Sequence, residues 1–438
     1  MMTQPTHAKT EGTAVDTDVL LEFLYRLGQA YLACGEQTPQ VELTLRRIAT
    51  AYGMRKSRVV AFPTALFITI HDGEQERITL AEGPTQSLRL DQIADVYSLG
   101  TTALSAQIRP GEAIERLSAI LRKPARFGRT GVVIGHAILT LGLSLVLLST
   151  SVNLAAAILL GAIVGGMKML NRDRAVLSVP TPVLAAALVS GLVFLGVRYG
   201  YVVDPLSLLV APLVTFLPGA MLTYGMVELA YGDMVSGSSR LITGMVQLVL
   251  IAFGLAAGAL LVGVRPEDLL DATPPIVNAT WVPWAGAVMF VIGTAIHFSA
   301  PRNSLGWLLL VALCAFAAQR GAAVLFGSQV SGFFGALVAT PLAYLIQMRF
   351  KGPPAAVTFL PSFWLLVPGS LGVLSVTRML SDRDGGLDEL IIVVFSVVSI
   401  ALGTLVGASM YRWLTERFGW WQLQLGRAGS YFRRNDKR

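Results

Sequence analysis

Residues 205–228 read PLSLLVAPLVTFLPGAMLTYGMVE, an apolar run with no charge before Glu228 and with Pro218-Gly219 near its middle. Such a run matches the roughly 20 residues a helix needs to cross a hydrocarbon core about 30 Å thick. Proline removes a backbone donor and collides with the preceding turn, while glycine adds conformational freedom. The run therefore predicts a membrane span broken close to mid-membrane. A second stretch, residues 357–377, repeats the device with Pro368-Gly369 followed by Ser370. Pro212 and Pro361 stand a turn or two upstream of the two breaks.

Outward from these runs the chain stays apolar. Of its 438 residues 54% are hydrophobic and 14% charged, and the mean hydropathy is +0.62. Soluble domains carry about 25% charge, so long stretches must hold almost none. Ten spans are expected near 131–150, 152–170, 179–199, 205–228, 241–264, 282–299, 304–320, 330–348, 357–377 and 387–413. The formal charge of +7 does not indicate nucleic acid, because the basic residues cluster in short loops and at the carboxyl end. Lys168, Arg240, Arg302, Arg349 and Lys351 fall on one side. The longest loop on the other side carries Glu267, Asp268 and Asp271. This positive-inside bias predicts both termini in the cytoplasm, with the chain crossing the inner membrane many times.

Ahead of the spans, residues 1–18 read as a disordered tail without the apolar core of an export signal. Residues 19–127 read as a small cytoplasmic α+β domain. Leu20, Phe23, Leu24, Leu27 and Tyr31 recur at helical spacing. A second helix is expected to open with Thr38 as cap and Pro39 behind it, burying Val41, Leu45 and Ile48. Three short strands follow, two of them joined at Asp72-Gly73, then two more amphipathic helices. The fold class is thus an α-helical polytopic membrane protein with a small α+β amino-terminal domain. Residues 131–264 and 282–413 form the two transmembrane halves, and 414–438 a basic cytoplasmic tail.

The halves match under a shift of about 150 residues. Pro218-Gly219 falls on Pro368-Gly369, Asn153 on Asn303, and Ser178 on Ser328. Five spans per half is odd, so the second half enters from the opposite side, the 5+5 inverted repeat of many secondary transporters. A broken helix exposes unpaired N–H groups at one end and carbonyls at the other. Together these suit a zwitterion, and Pro218, Gly219, Pro368, Gly369 and Ser370 are the expected substrate-binding residues. Ionisable groups near the membrane are few. Glu228, Asp233 and His136 are the candidates for proton coupling, with Arg240 as an ion-pair partner. Glu228 and Asp233 also fit an interfacial ion pair with Arg240, and a lone histidine can bond a neighbouring helix carbonyl.

Three sets of residues carry a resemblance. They are Gly35-Glu36-Gln37-Thr38-Pro39-Gln40-Val41-Glu42 with Pro63-Thr64-Ala65-Leu66-Phe67-Ile68-Thr69-Ile70; then Phe216-Leu217-Pro218-Gly219 with Ser236-Gly237-Ser238-Ser239-Arg240; and Leu366-Val367-Pro368-Gly369-Ser370. In that order the chain, from Val19 to Trp413, resembles the threonine/serine exporter (ThrE) family. The resemblance implies a cytoplasmic domain, ten helices and proton-driven antiport of small hydroxy amino acids. The partners would be a small amino acid, protons and the lipid bilayer, without nucleic acid. Three readings compete: the exporter; a membrane-tethered enzyme with a hydrolase-like soluble domain using His71, Asp72, Glu36, Ser57 or Thr64; and a soluble domain that gates the path or pairs subunits in a homo-oligomer. No nucleophile elbow, phosphate loop or metal-ligand cluster is present, and Cys34 and Cys314 lie in unrelated settings, so neither a cofactor nor a metal is expected.

Overall fold

A computed structural model of the chain describes residues 16–71, 76–82, 87–147, 151–171, 180–202, 205–263, 280–366 and 383–417. The chain divides into two compact units, Met1–Ser87 with Asp95–Lys123, and Leu88–Ala94 with Pro124–Arg438.

The first unit contains α1 (Thr17–Ala33), α2 (Thr38–Ala51) and an antiparallel sheet of β1 (Ser57–Phe62), β2 (Ala65–His71) and β3 (Glu76–Glu82) in that order. Most of α3 (Leu90–Leu104) and all of α4 (Pro110–Arg122) complete it. Asp16 caps α1 by accepting from the Asp18 amide. At α2 the cap is Gln37, one residue before the expected Thr38, and Thr38 begins the helix with Pro39 next to it. Proline costs nothing there, since a first-turn N–H has no intrahelical partner. Strand alternation sets the core. Leu66, Ile68 and Ile70 are fully buried and pair with Ala61, Val59 and Ser57 on the same sheet face. That face lies against α1 and α2, whose Leu20, Phe23, Leu24, Leu27, Val41, Leu45 and Ile48 are fully buried. Each such side chain contributes about 1.5–3 kcal/mol. The Asp72-Gly73 turn lies outside the described residues.

The second unit is helical: α5 (Gly128–Val146), α6 (Ser151–Asn171), α7 (Pro180–Arg198), α8 (Pro205–Val210), α9 (Gly219–Ala230), α10 (Met234–Val262), α11 (Val282–His297), α12 (Leu305–Phe326), α13 (Ser328–Arg349), α14 (Ala355–Leu366) and α15 (Arg383–Arg417). Seven of these helices are long and apolar enough to cross a membrane, and a bent pair at residues 207–230 adds an eighth. Val282–His297 and Ala355–Leu366 are apolar but shorter. This is a polytopic helical membrane protein. Pro368, Gly369 and Ser370 lie outside the described residues.

Glycine lets these helices touch backbone to backbone, the packing that works between spans where lipid removes the hydrophobic drive. On α5 and α11, a Cβ at Gly142 would lie 2.3 Å from the Phe290 nitrogen and 2.7 Å from the Gly286 carbonyl. One at Gly293 would lie 2.2 Å from the Leu139 nitrogen and 2.8 Å from the Gly135 carbonyl. The contacts fall as one number rises, so α5 and α11 are antiparallel. On α7 and α10, Gly254 approaches the Val183 carbonyl and the Ala186 Cβ, and Gly258 approaches the Ala187 carbonyl. Here both numbers rise, so α7 and α10 are parallel, and the bent pair between them carries the chain from one end of the bundle to the other. On α13 and α15, Gly403 meets the Phe333 carbonyl and the Ala336 Cβ, while Gly407 meets the Leu337 carbonyl.

A methyl group at Gly142 has no room, whereas one at Gly306 meets nothing within 4 Å. Gly142→Ala is expected to cost about 1–3 kcal/mol by overpacking and to lower the melting temperature in detergent by several degrees. Gly306→Ala should leave it unchanged or slightly higher. Equal melting temperatures for the two variants would contradict the α5–α11 contact.

Candidate functional site

The bent pair is where backbone regularity fails. After α8 the chain tightens into a 3-10 turn, Ala211–Phe216, with Pro212 inside it. Leu217 is then extended, as a residue preceding proline must be. Pro218 occupies the cap position of α9 with no side chain capping the helix. The two segments meet at 58°. The Leu217 amide reaches back only to the Val214 carbonyl, so carbonyls of the first segment need partners from elsewhere.

Side chains of neighbouring helices supply them. His136 of α5, fully buried, places Nε2 2.9 Å from the Pro212 carbonyl. A carbonyl only accepts, so Nε2 carries a proton and donates. That leaves Nδ1, buried and without a hydrogen-bond partner among the described residues, as the nitrogen able to take up another. Gln247 of α10 donates from Nε2 to the Phe216 carbonyl at 2.7 Å. Lys168 of α6 donates from Nζ to Thr215 Oγ1 at 2.6 Å and lies 4.6 Å from the centre of the Phe216 ring. The His297 ring is centred 4.9 Å from that of His136, and its Nδ1 donates to the Val132 carbonyl at 2.8 Å.

Glu228 and Asp233 sit at the far end of α9. Glu228 is fully buried and pairs with Arg240 Nε at 3.0 Å. The helices bearing them come close because Gly225 of α9 and Gly237 of α10 face each other's backbone. Asp233 caps α10 by accepting from the Ser236 amide. Of the sequence candidates, His136, Pro218 and Gly219 thus belong to the break, whereas Asp233 lies in the turn between α9 and α10 and Glu228 and Arg240 flank it.

Sequence reasoning missed Lys168 and Gln247. Lys168 was counted among loop charges, yet it stands three residues before the end of α6, on the stripe of Gly161 and Gly165 that faces α5. That periodicity was the available signal. Nothing in the sequence singles out Gln247.

In the first unit Glu36 accepts a hydrogen bond from the Tyr97 hydroxyl. Burial first, and then the charge of Glu36, hold the Tyr97 phenol and the Cys34 thiol well above their ordinary pKa values. Ser57 pairs with Ile70 and shares its face of the sheet, so His71, the next residue, projects from the opposite face. These two do not combine as nucleophile and base. Asp72 lies outside the described residues.

The family model of the threonine/serine exporters (ThrE) matches residues 22–262, which takes in the first unit, the break and α10. No curated protein and no solved structure matched the chain.

Removing one member of a buried ion pair leaves the other uncompensated, at about 3–5 kcal/mol. Arg240→Gln is therefore expected to lower thermal stability strongly, and the Glu228→Gln/Arg240→Gln double variant to recover most of the loss. A double variant no better than the single one would show that the pairing energy lies elsewhere.

Proposed function

The chain belongs to the threonine/serine exporter family, and from that premise we propose that it exports small hydroxy amino acids, threonine and serine, across a bacterial inner membrane in exchange for protons. The observation that carries this reading is the broken span 205–230, whose first segment is held by side chains from α5, α6 and α10. Discontinuous helices near mid-membrane are where secondary transporters hold substrate. In this reading Pro218 and Gly219 open the N-terminal end of α9 to the substrate, and Pro368, Gly369 and Ser370 are assigned to substrate binding from the second half.

In this reading the seven long helices, the bent pair and the two shorter apolar helices are counted as ten crossings, and both termini and the first unit are assigned to the cytoplasm. The glycine contacts support two copies of one five-span unit. Val183, Ala186, Ala187, Gly254 and Gly258 stand in the same relation as Phe333, Ala336, Leu337, Gly403 and Gly407, a shift of about 150 residues. The paired approach of Gly135 to Gly293 and Gly142 to Gly286 is what a two-fold axis between inverted copies produces.

Among the coupling candidates, Asp233 is used as a cap and Glu228 in an ion pair. His136 has a free Nδ1, and its other nitrogen holds the break. We assign proton coupling to His136: protonation at Nδ1 places a charge beside Lys168 and His297 and alters the hold on the Pro212 carbonyl.

The test is efflux of labelled threonine and serine from proteoliposomes of the purified full chain. An acidic exterior is expected to accelerate efflux. His136→Gln keeps a donor for the Pro212 carbonyl but cannot titrate, so export should persist with its pH dependence flattened. Efflux no faster than from protein-free vesicles removes the exporter reading, and a wild-type pH profile in His136→Gln removes the coupling assignment.

A further inference from the structure

The break gathers one charge that no described carboxylate neutralises. Lys168 lies on an apolar helix, and a lysine near a helix end ordinarily extends its stem to water. Here Nζ instead turns to Thr215 at 2.6 Å and lies over the rings of Phe216 and Phe298, at 4.6 and 5.9 Å from their centres. Among the described residues no carboxylate lies within ion-pair distance of Lys168. Hydroxyl and ring faces soften the cost of an ammonium in such surroundings, but they do not cancel its charge. Trp364 of α14 stacks beside Phe298, with ring centres 4.7 Å apart. Lys168, Thr215, Phe216, Phe298 and Trp364 are all half-buried, so the surroundings of the ammonium keep some accessible surface.

We propose that Lys168 binds the carboxylate of the transported molecule, supplying at the break the charge that ligand neutralises. Thr215 accepts a hydrogen bond from Lys168 and keeps its own hydroxyl proton to donate to the same carboxylate. The uncapped N-terminal end of α9 begins four residues beyond Thr215 and adds positive potential on the same side. Phe216 comes from the first half of the bundle and Phe298 from the second, and both rings face the ammonium, so a ligand held there touches both halves. The proposal rests on the transporter reading and adds to it the group that recognises the ligand.

The test uses the purified full chain with threonine, serine and lactate as carboxylates, and threoninol and threoninamide as analogues lacking one. Wild type is expected to be thermally stabilised by the carboxylates and not by the analogues. Lys168→Gln should raise the half-saturating threonine concentration, in binding and in efflux, about tenfold to a hundredfold, and Lys168→Arg should recover part of it. If the glutamine variant does not fold, Lys168→Met replaces it. Wild-type affinity in the uncharged variant, equal binding of threonine and threoninol, or no carboxylate binding to wild type would each overturn the proposal. Stabilisation by lactate alone, lost in Lys168→Gln, would support the Lys168 assignment while removing threonine and serine as substrates.

Discussion

The structure depends on one constraint: inside a hydrocarbon layer every backbone carbonyl and amide must find a partner within the protein. An unbroken helix meets it alone. The segment 205–230 does not, because Pro212 and Pro218 remove donors and turn its second part by 58°. The deficit is met at two carbonyls by His136 and Gln247, and Lys168 joins them at the Thr215 hydroxyl. A break in one helix thus draws polar groups of three others to the same level. The site follows from satisfying the backbone.

Elsewhere the membrane unit is joined by contacts that leave little freedom. At Gly142 and Gly293 between α5 and α11, Gly254 and Gly258 between α7 and α10, and Gly403 between α13 and α15, no methyl group fits against the facing backbone. Close-packed pairs of this kind move as bodies, since packed interfaces shift between discrete arrangements rather than deform. The break is different. Its second segment begins without a side-chain cap, and the aromatic rings around Lys168 are half-buried. In the transport reading, rigid pairs rock about the place where the backbone is loosest.

Much of this was legible in the residues, and the reason differs by element. The three short strands followed from their local residue runs, and the bend from Pro218-Gly219, because strand propensity and proline chemistry act within a few residues. The residues left Glu228 open between proton coupling and an ion pair with Arg240, and the structure forms the pair. What stayed hidden depends on distant partners. His136 meets Pro212 and His297 meets Val132, and no local pattern connects those positions. Lys168 was misfiled for a related reason. Counting charges at helix ends assumes that each lysine reaches water, and the fold turns this one inward.

The most direct measurement of the central claim, that the break lies on the transport path, is labelling at Ala220 in the first turn of α9. An Ala220→Cys protein in a Cys34→Ser/Cys314→Ser background, in vesicles of known orientation, would be exposed to a membrane-impermeant maleimide from each side. The account predicts labelling from both sides, slowed by threonine or serine. A residue that labels from neither side, or at a rate indifferent to every substrate tested, would contradict it.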